Sequence, residues 1–261
     1  MRLLLLLIAP AALFAQGPPG APQAPRTGKA GARVDLTGYW VSVVTEDWRW
    51  RMVTPLKGDF ASVPINAEGR KVGEAWDPAK DEASGQQCKA YGAPALMRIP
   101  GRVHITWQDD DTLKVETDAG TQTRLFHFNA KPPQSAAASQ NTAASLQGYS
   151  AAQWEPPVQG LGIPDNFGIF ARRTGNQGRS LEVTTSALRA GYLRKNGVPY
   201  SENTVLNEYY DYHKEPNGDE WFTVTTAVRD PRFLNMPFIT STDFKKQRDA
   251  SGWDPAPCSA R

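Results

Sequence analysis

The chain has 261 residues, with 29 lysines and arginines against 27 aspartates and glutamates, and 40% of its residues are apolar. The formal net charge is only +2, and the charges are mixed along the chain, so no nucleic-acid partner is expected. The apolar content is sufficient to bury a core, which excludes a chain that is disordered throughout.

The N-terminus has the features of a secretory signal peptide. Arg2 is followed by an apolar run and by small residues up to Ala15. The run is shorter than the roughly 20 residues of a permanent membrane helix. We expect cleavage after Ala15, a secreted or periplasmic location and no transmembrane segment in the mature chain. A retained membrane anchor is the alternative.

The next segment, residues 16–34, consists mostly of Gly, Pro and Ala and predicts a disordered linker. A single domain is expected over residues 35–261, with loops at 129–147 and 155–179. The second loop contains five bulky apolar side chains that must pack on something. They would act either as a lid over a pocket or as a cap on the core.

Short runs of alternating apolar and polar residues predict β-strands. The runs Arg102 to Gln108 and Thr112 to Thr117 are separated by three aspartates, which is typical of a hairpin. Seven further runs share the pattern: Gly38 to Thr45, Gln122 to Phe128, Gly148 to Glu155, Ser180 to Ser186, Thr204 to Tyr212, Glu220 to Val228 and Phe238 to Lys245.

Nine strands joined largely by short turns indicate an all-β fold with an antiparallel meander. A sheet of this length must close or form two layers to avoid exposed edges. We therefore expect a lipocalin-like barrel, with a two-sheet sandwich as the alternative. One short helix is predicted from Ala67 to Trp76, with Asn66 as its N-cap and Pro78 after it.

Cys88 and Cys258 are the only cysteines. Export to an oxidising compartment favours a disulfide between them, and two free buried thiols are the alternative. The bond would close a loop of about 170 residues, and the chain-entropy model gives a stabilisation of about 4 to 5 kcal/mol for it.

A set of short motifs runs from Gln87 toward the C-terminus: Cys followed by Gly-x-Pro, Gly-x-Ser-x-x-x-Trp-Glu, Leu-x-Val-x-Thr-Thr, Gly-x-Pro-x-Ser-Glu and Asp-Pro-aromatic. The set is similar to that of a group of uncharacterised exported bacterial β-rich proteins. The resemblance implies no known reaction. Its residues here include Cys88, Gly92, Pro94, Arg98, Gly148, Ser150, Trp154, Glu155, Leu181, Val183, Thr185, Gly197, Ser201, Glu208, Asp230, Phe233 and Phe238.

The first predicted strand also contains Gly38-Tyr39-Trp40, which resembles the Gly-x-Trp entry strand of lipocalin-like barrels. In those barrels the Trp closes one end. The companion motifs of that family are absent in the expected order.

On the predicted strands, several polar residues alternate with apolar ones, so their side chains would share one face of the sheet. This face could be the interior of a barrel. We take five residues as candidates for lining a ligand pocket: His104, Arg124, His127, Trp154 and Glu208. In the alternative, the same polar side chains point to the solvent. If Arg124 is buried, it needs a carboxylate such as Glu208 or Glu116, or a bound anion.

No motif for a metal or cofactor is present, so neither is expected. Gly148-Tyr149-Ser150 lacks the strand-to-helix turn of a nucleophile elbow, and no catalytic residue is assigned. The alternation of Trp48, Arg49, Trp50 and Arg51 has two interpretations. These residues could stack on rings and pair with anions, or they could form a core strand with a charged outer face.

The leading functional hypothesis is an exported binding protein that holds a small apolar or amphipathic ligand in a barrel mouth. A cofactor-independent hydrolase or isomerase that uses His127, Arg124 and Glu208 is the second hypothesis. A structural or envelope-interaction protein is the third.

Overall fold

The computed structural model describes residues 26–129, 144–155 and 180–261. In these residues nine strands close into a barrel, which confirms the predicted all-β class and the barrel and excludes the two-sheet sandwich. Each predicted strand is present, with ends within two residues of the prediction. The barrel strands are β1 (Gly38–Val43), β2 (Arg102–Trp107), β3 (Thr112–Thr117), β4 (Thr123–Phe128), β5 (Tyr149–Trp154), β6 (Ser180–Ser186), β9 (Val205–Lys214), β10 (Glu220–Arg229) and β11 (Phe238–Lys246).

A separate two-stranded sheet pairs β7 (Gly191–Tyr192) with β8 (Pro199–Tyr200). The described residues contain five short helices and one 3-10 helix (Gln87–Tyr91), where only one helix was predicted. The helices are α1 (Gly28–Gly31), α2 (Trp48–Arg51), α3 (Ala67–Glu74), α4 (Pro78–Ala83) and α5 (Ala93–Leu96).

Helix α3 is the predicted one, and its N-cap is as expected. The side chain of Asn66 accepts a hydrogen bond from the backbone N–H of Gly69 at 2.9 Å.

The strand order around the barrel is β1-β11-β10-β9-β6-β5-β4-β3-β2, and β2 pairs with β1 to close it. One feature corrects the predicted antiparallel meander: strands β4 and β5 are parallel. A parallel pair needs a crossover connection of about a dozen residues or more, and the sequence between β4 and β5, residues 129–148, is long enough for one. The β7–β8 sheet, which was not predicted, is separate from the barrel, and β6 pairs antiparallel with β9, as the meander predicts.

The barrel interior is packed with large side chains. Trp40 is completely buried, its ring lies 4.8 Å from that of Phe222, and its indole N–H donates to the carbonyl of Leu36 at 2.9 Å. Phe126 and Phe244 belong to the same core cluster. A dense filling of this kind stabilises the closed sheet through dispersion contacts and the removal of apolar surface from water.

A second apolar cluster covers one end of the barrel, where β1 ends and β11 begins. The chain before α3 contributes Phe60, and the region of the β7–β8 sheet contributes Leu193 and Tyr200. These side chains pack with Val228 and Phe238, which lie at the adjoining ends of β10 and β11. The barrel is therefore closed at this end by packed side chains.

In the described residues, contacts with the barrel are already present at Arg26 and Gly28, whereas the composition placed the start of the domain at Asp35. The backbone N–H of Gly28 donates to Asp111 Oδ1 at 2.7 Å, and the indole of Trp154 donates to the Gly28 carbonyl at 2.7 Å. A Cβ at Gly28 would lie 2.3 Å from Cγ of Phe128. The absence of a side chain at Gly28 thus lets this segment pack closely on the barrel, which composition alone did not indicate.

The proposed signal peptide and residues 16–25 of the linker lie outside the described residues. The same is true of most of both predicted loops, at 130–143 and 156–179. The expectations for these segments stay predictions. No helix in the described ranges is long and apolar enough to cross a membrane.

Cys88 and Cys258 form a disulfide, as predicted. The bond joins the 3-10 helix to the C-terminal segment and closes a loop over a sequence separation of 170 residues. A disulfide agrees with an oxidising compartment.

Replacing both cysteines with alanine should lower the free energy of unfolding, because the unfolded chain regains the entropy of the long loop. The chain-entropy model gives a loss of about 5 kcal/mol. Urea denaturation of the wild type and of Cys88→Ala/Cys258→Ala measures the loss, with reduced wild-type protein as the control. Equal stability of the oxidised wild type and the double variant would contradict this role.

Candidate functional site

The structure brings together two of the five candidate residues. Arg124 on β4 and Glu208 on β9 both point into the barrel, and neither side chain is exposed. Because side chains alternate along a strand, His127 faces the opposite side of β4 from Arg124. The three residues of the hydrolase or isomerase hypothesis therefore do not form one site.

The other three candidates make contacts elsewhere. His104 stacks on Tyr39 with ring centroids 4.0 Å apart, and His127 stacks on Tyr149 at 4.9 Å. Burial lowers the pKa of His127, and the charge of Asp109 opposes this shift. Trp154 is half-buried and donates to the Gly28 carbonyl, so it holds α1 on the barrel.

Arg124 and Glu208 form a bidentate ion pair. Nη1 of Arg124 donates to Glu208 Oε1 at 2.9 Å, and Nη2 donates to Oε2 at 2.6 Å. Nη2 also donates to Thr185 Oγ1 at 3.1 Å, and the Tyr210 hydroxyl donates to Glu208 Oε1 at 3.3 Å. Burial acts to lower the pKa of Arg124, but the charge of Glu208, together with Tyr210 and the hydrogen bonds to both residues, raises it overall.

This pair links β4 to β9, two strands that are separated in the barrel by β5 and β6. Ser150 on β5 and Thr185 on β6 lie between Arg124 and Glu208, and their hydroxyls are 2.7 Å apart. Ser150 sits within a strand and not at a strand-to-helix turn, so it lacks the setting of a nucleophile elbow. With its charges paired and its atoms buried, the Arg124–Glu208 pair presents no open face to a ligand.

A different cluster of arginines surrounds a cavity at the covered end of the barrel. We call this cavity the arginine pocket. It has a volume of about 50 Å³ and lies between α2, the turn after α5 and the turn between β7 and β8. Its main lining residues are Trp50, Arg51, Arg98, Ile99, Arg194 and Lys195.

Two of the arginines have carboxylate partners but keep free donors. Arg51 donates from Nη1 to Glu46 at 2.6 Å and from Nε to the carbonyl of Arg98 at 2.9 Å. Arg98 donates from Nη2 to Asp47 at 2.9 Å. Nη2 of Arg51 and Nη1 of Arg98 are buried and have no acceptor among the described residues. Each group therefore has unused hydrogen-bonding capacity.

Arg194 is buried without a carboxylate at ion-pair distance in the described part of the chain. Its Nη1 donates to the carbonyl of Ala61 at 2.7 Å, whereas Nε and Nη2 are buried and have no acceptor there. The guanidinium lies 5.1 Å from the ring of Trp50 and 5.9 Å from that of Phe238. Burial, together with the like charge of Arg98, lowers the pKa of Arg194 to about 10.

The charges around the pocket do not cancel. Glu46 and Asp47 pair with Arg51 and Arg98, which leaves the positive charges of Arg194 and Lys195. Asp47 and Asp59 attract Arg194 from beyond ion-pair distance, and Asp59 also lies 3.5 Å from Arg49. An unneutralised buried charge is unfavourable, and an oxyanion bound to these free donors would remove the penalty.

Sequence reasoning missed most of this site. The core-strand interpretation of residues 48–51 was wrong, because these residues form α2. Asp47 has a left-handed backbone, with φ of 52°, and turns the chain into this helix. Arg51 is consequently buried while Trp48 is exposed. For Arg98, the sequence offered one indication of burial, because this arginine lies within the apolar stretch from Leu96 to Ile99.

No group of three or more His, Cys, Asp or Glu side chains that could hold a metal ion occurs in the described ranges. The donors of the arginine pocket are cationic and would repel a metal ion.

Removing one partner of the Arg124–Glu208 pair should destabilise the protein by about 3 to 5 kcal/mol, since it leaves an uncompensated buried charge. The apolar double variant Arg124→Met/Glu208→Leu should lose much less than the sum of the single variants. Lys114→Met, at the half-exposed pair with Glu116, is the control and should change stability by less than about 1 kcal/mol. Urea denaturation tests the set, and additive losses in the double variant would contradict the coupling.

The chain matches no protein-family model, no curated protein and no solved structure. The geometry described above therefore carries the functional argument.

Proposed function

We propose that this chain is an exported binding protein for a small amphipathic molecule with an anionic group, of the carboxylate or phosphate class. The arginine pocket would hold the anionic group. The observation that carries this proposal is Arg194, which is buried with two free donor nitrogens and with no carboxylate at ion-pair distance among the described residues.

The donor set suits an oxyanion. The three arginines that line the pocket have four buried nitrogens without an acceptor among the described residues: Nη2 of Arg51, Nη1 of Arg98, and Nε and Nη2 of Arg194. Guanidinium groups present planar pairs of N–H donors that match carboxylate and phosphate oxygens. A bound oxyanion would gain charge-assisted hydrogen bonds and would neutralise Arg194.

The size of the pocket supports an amphipathic ligand over a purely apolar one. A volume of about 50 Å³ accommodates an anionic group but not a long hydrocarbon chain. The rest of the ligand would extend out of the pocket past Val53, a lining residue that is also exposed at the surface. A purely apolar ligand would leave the arginine donors desolvated and unpaired, which is unfavourable.

The dense packing of the barrel centre also favours the arginine pocket as the binding site. Arg124 and Glu208 have no exposed surface, and large aromatic side chains surround them. The proposed site is therefore at the covered end of the barrel and not in its interior.

The proposal predicts that oxyanions stabilise the wild-type protein. Sulfate, phosphate and hexanoate, each compared with chloride at equal ionic strength, should raise the melting temperature through preferential binding to the folded state. Arg194→Met should abolish this response. Without added oxyanion, the same variant should be as stable as the wild type or more stable, because it removes an unneutralised buried charge.

Arg229→Met is the matched control. Arg229 is exposed on β10 and donates to Asn207, so the variant should keep the full response to oxyanions. Differential scanning fluorimetry and titration calorimetry measure the effect. The proposal fails if the wild type responds to oxyanions no more than to chloride, or if Arg194→Met responds as strongly as the wild type.

A further inference from the structure

The segment beside the arginine pocket exposes an unusual concentration of apolar side chains. Eight large apolar residues are exposed in the described ranges, and four of them lie within the nine residues from Trp48 to Leu56. The exposed fractions are 66% for Trp48, 59% for Met52, 65% for Val53 and 83% for Leu56. Exposed apolar residues that cluster in this way indicate an interaction surface.

Cationic side chains lie among these apolar ones. Arg49 has 69% of its side chain exposed, and Lys57 is also exposed. The nearby carboxylates Glu46 and Asp47 pair with buried arginines of the pocket. Asp59 lies 3.5 Å from Arg49. The segment thus presents apolar groups and positive charge, and three of its residues, Trp50, Val53 and Pro55, also line the arginine pocket.

We propose that residues 48–57 dock the protein on an anionic membrane surface, with the phosphate of a lipid headgroup entering the arginine pocket. The inference rests on the proposed function, because the headgroup supplies the anionic group of the ligand. Tryptophan and aliphatic side chains enter the interfacial region of a bilayer, while neighbouring arginine and lysine attract anionic lipids. Neither contribution alone gives stable attachment, so both are required.

The charge pattern favours a lipid surface over a second copy of the chain. A symmetric contact through residues 48–57 would place Arg49, Lys57 and the pocket of one copy against the same groups of the other. These like charges would repel, whereas phosphate groups would complement them.

Co-sedimentation with vesicles tests the inference. The wild type should bind vesicles of equal phosphatidylglycerol and phosphatidylcholine, and it should bind pure phosphatidylcholine at least about tenfold more weakly. Arg194→Met should also weaken binding to the anionic vesicles. The variant Trp48→Ala/Leu56→Ser should lose vesicle binding by about tenfold or more and should keep its response to sulfate.

Met236→Ser/Ile239→Ser is the matched control. Both residues are apolar and 64% exposed but lie outside the segment, so this variant should bind vesicles like the wild type. Soluble glycerol 3-phosphate distinguishes a free phosphate from a lipid. The inference requires that it bind much more weakly than the anionic vesicles.

Several further outcomes would overturn the inference. A sulfate response without vesicle binding would refute membrane docking and leave the proposed function intact. Equal binding to both vesicle types, or vesicle binding unaffected by Arg194→Met, would show that the headgroup phosphate does not enter the arginine pocket. A wild-type dimer that Trp48→Ala/Leu56→Ser dissociates, measured by light scattering, would assign the segment to a second copy. A protein that binds neither sulfate nor vesicles would end both proposals.

Discussion

The buried ion pair between Arg124 and Glu208 constrains the rest of the molecule. It links β4 to β9 past the two strands between them, β5 and β6, and the two charges neutralise each other in the centre of the barrel. Aromatic side chains fill the space around it. The packed centre therefore leaves no room for a ligand, and any binding site would lie at the ends of the barrel or on the elements that cover them.

Two buried arginines in the same chain have contrasting surroundings. The charge of Arg124 is neutralised by a bidentate carboxylate, and Tyr210 and Thr185 complete the network. Arg194 has aromatic neighbours and one carbonyl acceptor instead. A charge left without a counter-ion is unfavourable for folding. Its position beside a cavity is the observation on which the proposed anion binding rests, and a stability cost of this kind is common where a residue serves function.

Much of the fold could be predicted from the sequence because strand alternation is a local signal. All nine barrel strands followed from it, and the requirement for closed edges indicated the barrel. Because a buried Arg124 needs a nearby carboxylate, the sequence also indicated Glu208 as a candidate partner. The parallel β4–β5 pair was not predicted, since pairing across the connection at 129–148 depends on barrel closure and not on local sequence.

The arginine pocket could not be predicted because its residues are distant in the sequence. Arg51, Arg98 and Arg194 belong to three separate segments that only the tertiary fold brings together. The one-turn helix α2 is also too short to show helical periodicity, and its alternating Trp and Arg residues imitate a strand. Exposure of Trp48 and burial of Arg51 are thus consequences of tertiary structure.

The most direct test is anomalous diffraction from crystals of the wild-type protein grown with selenate. The account predicts an anomalous peak in the arginine pocket, within hydrogen-bond distance of Arg194 and of Arg51 or Arg98. A pocket that holds only water at saturating selenate, with selenate bound solely at exposed lysines and arginines, would contradict it.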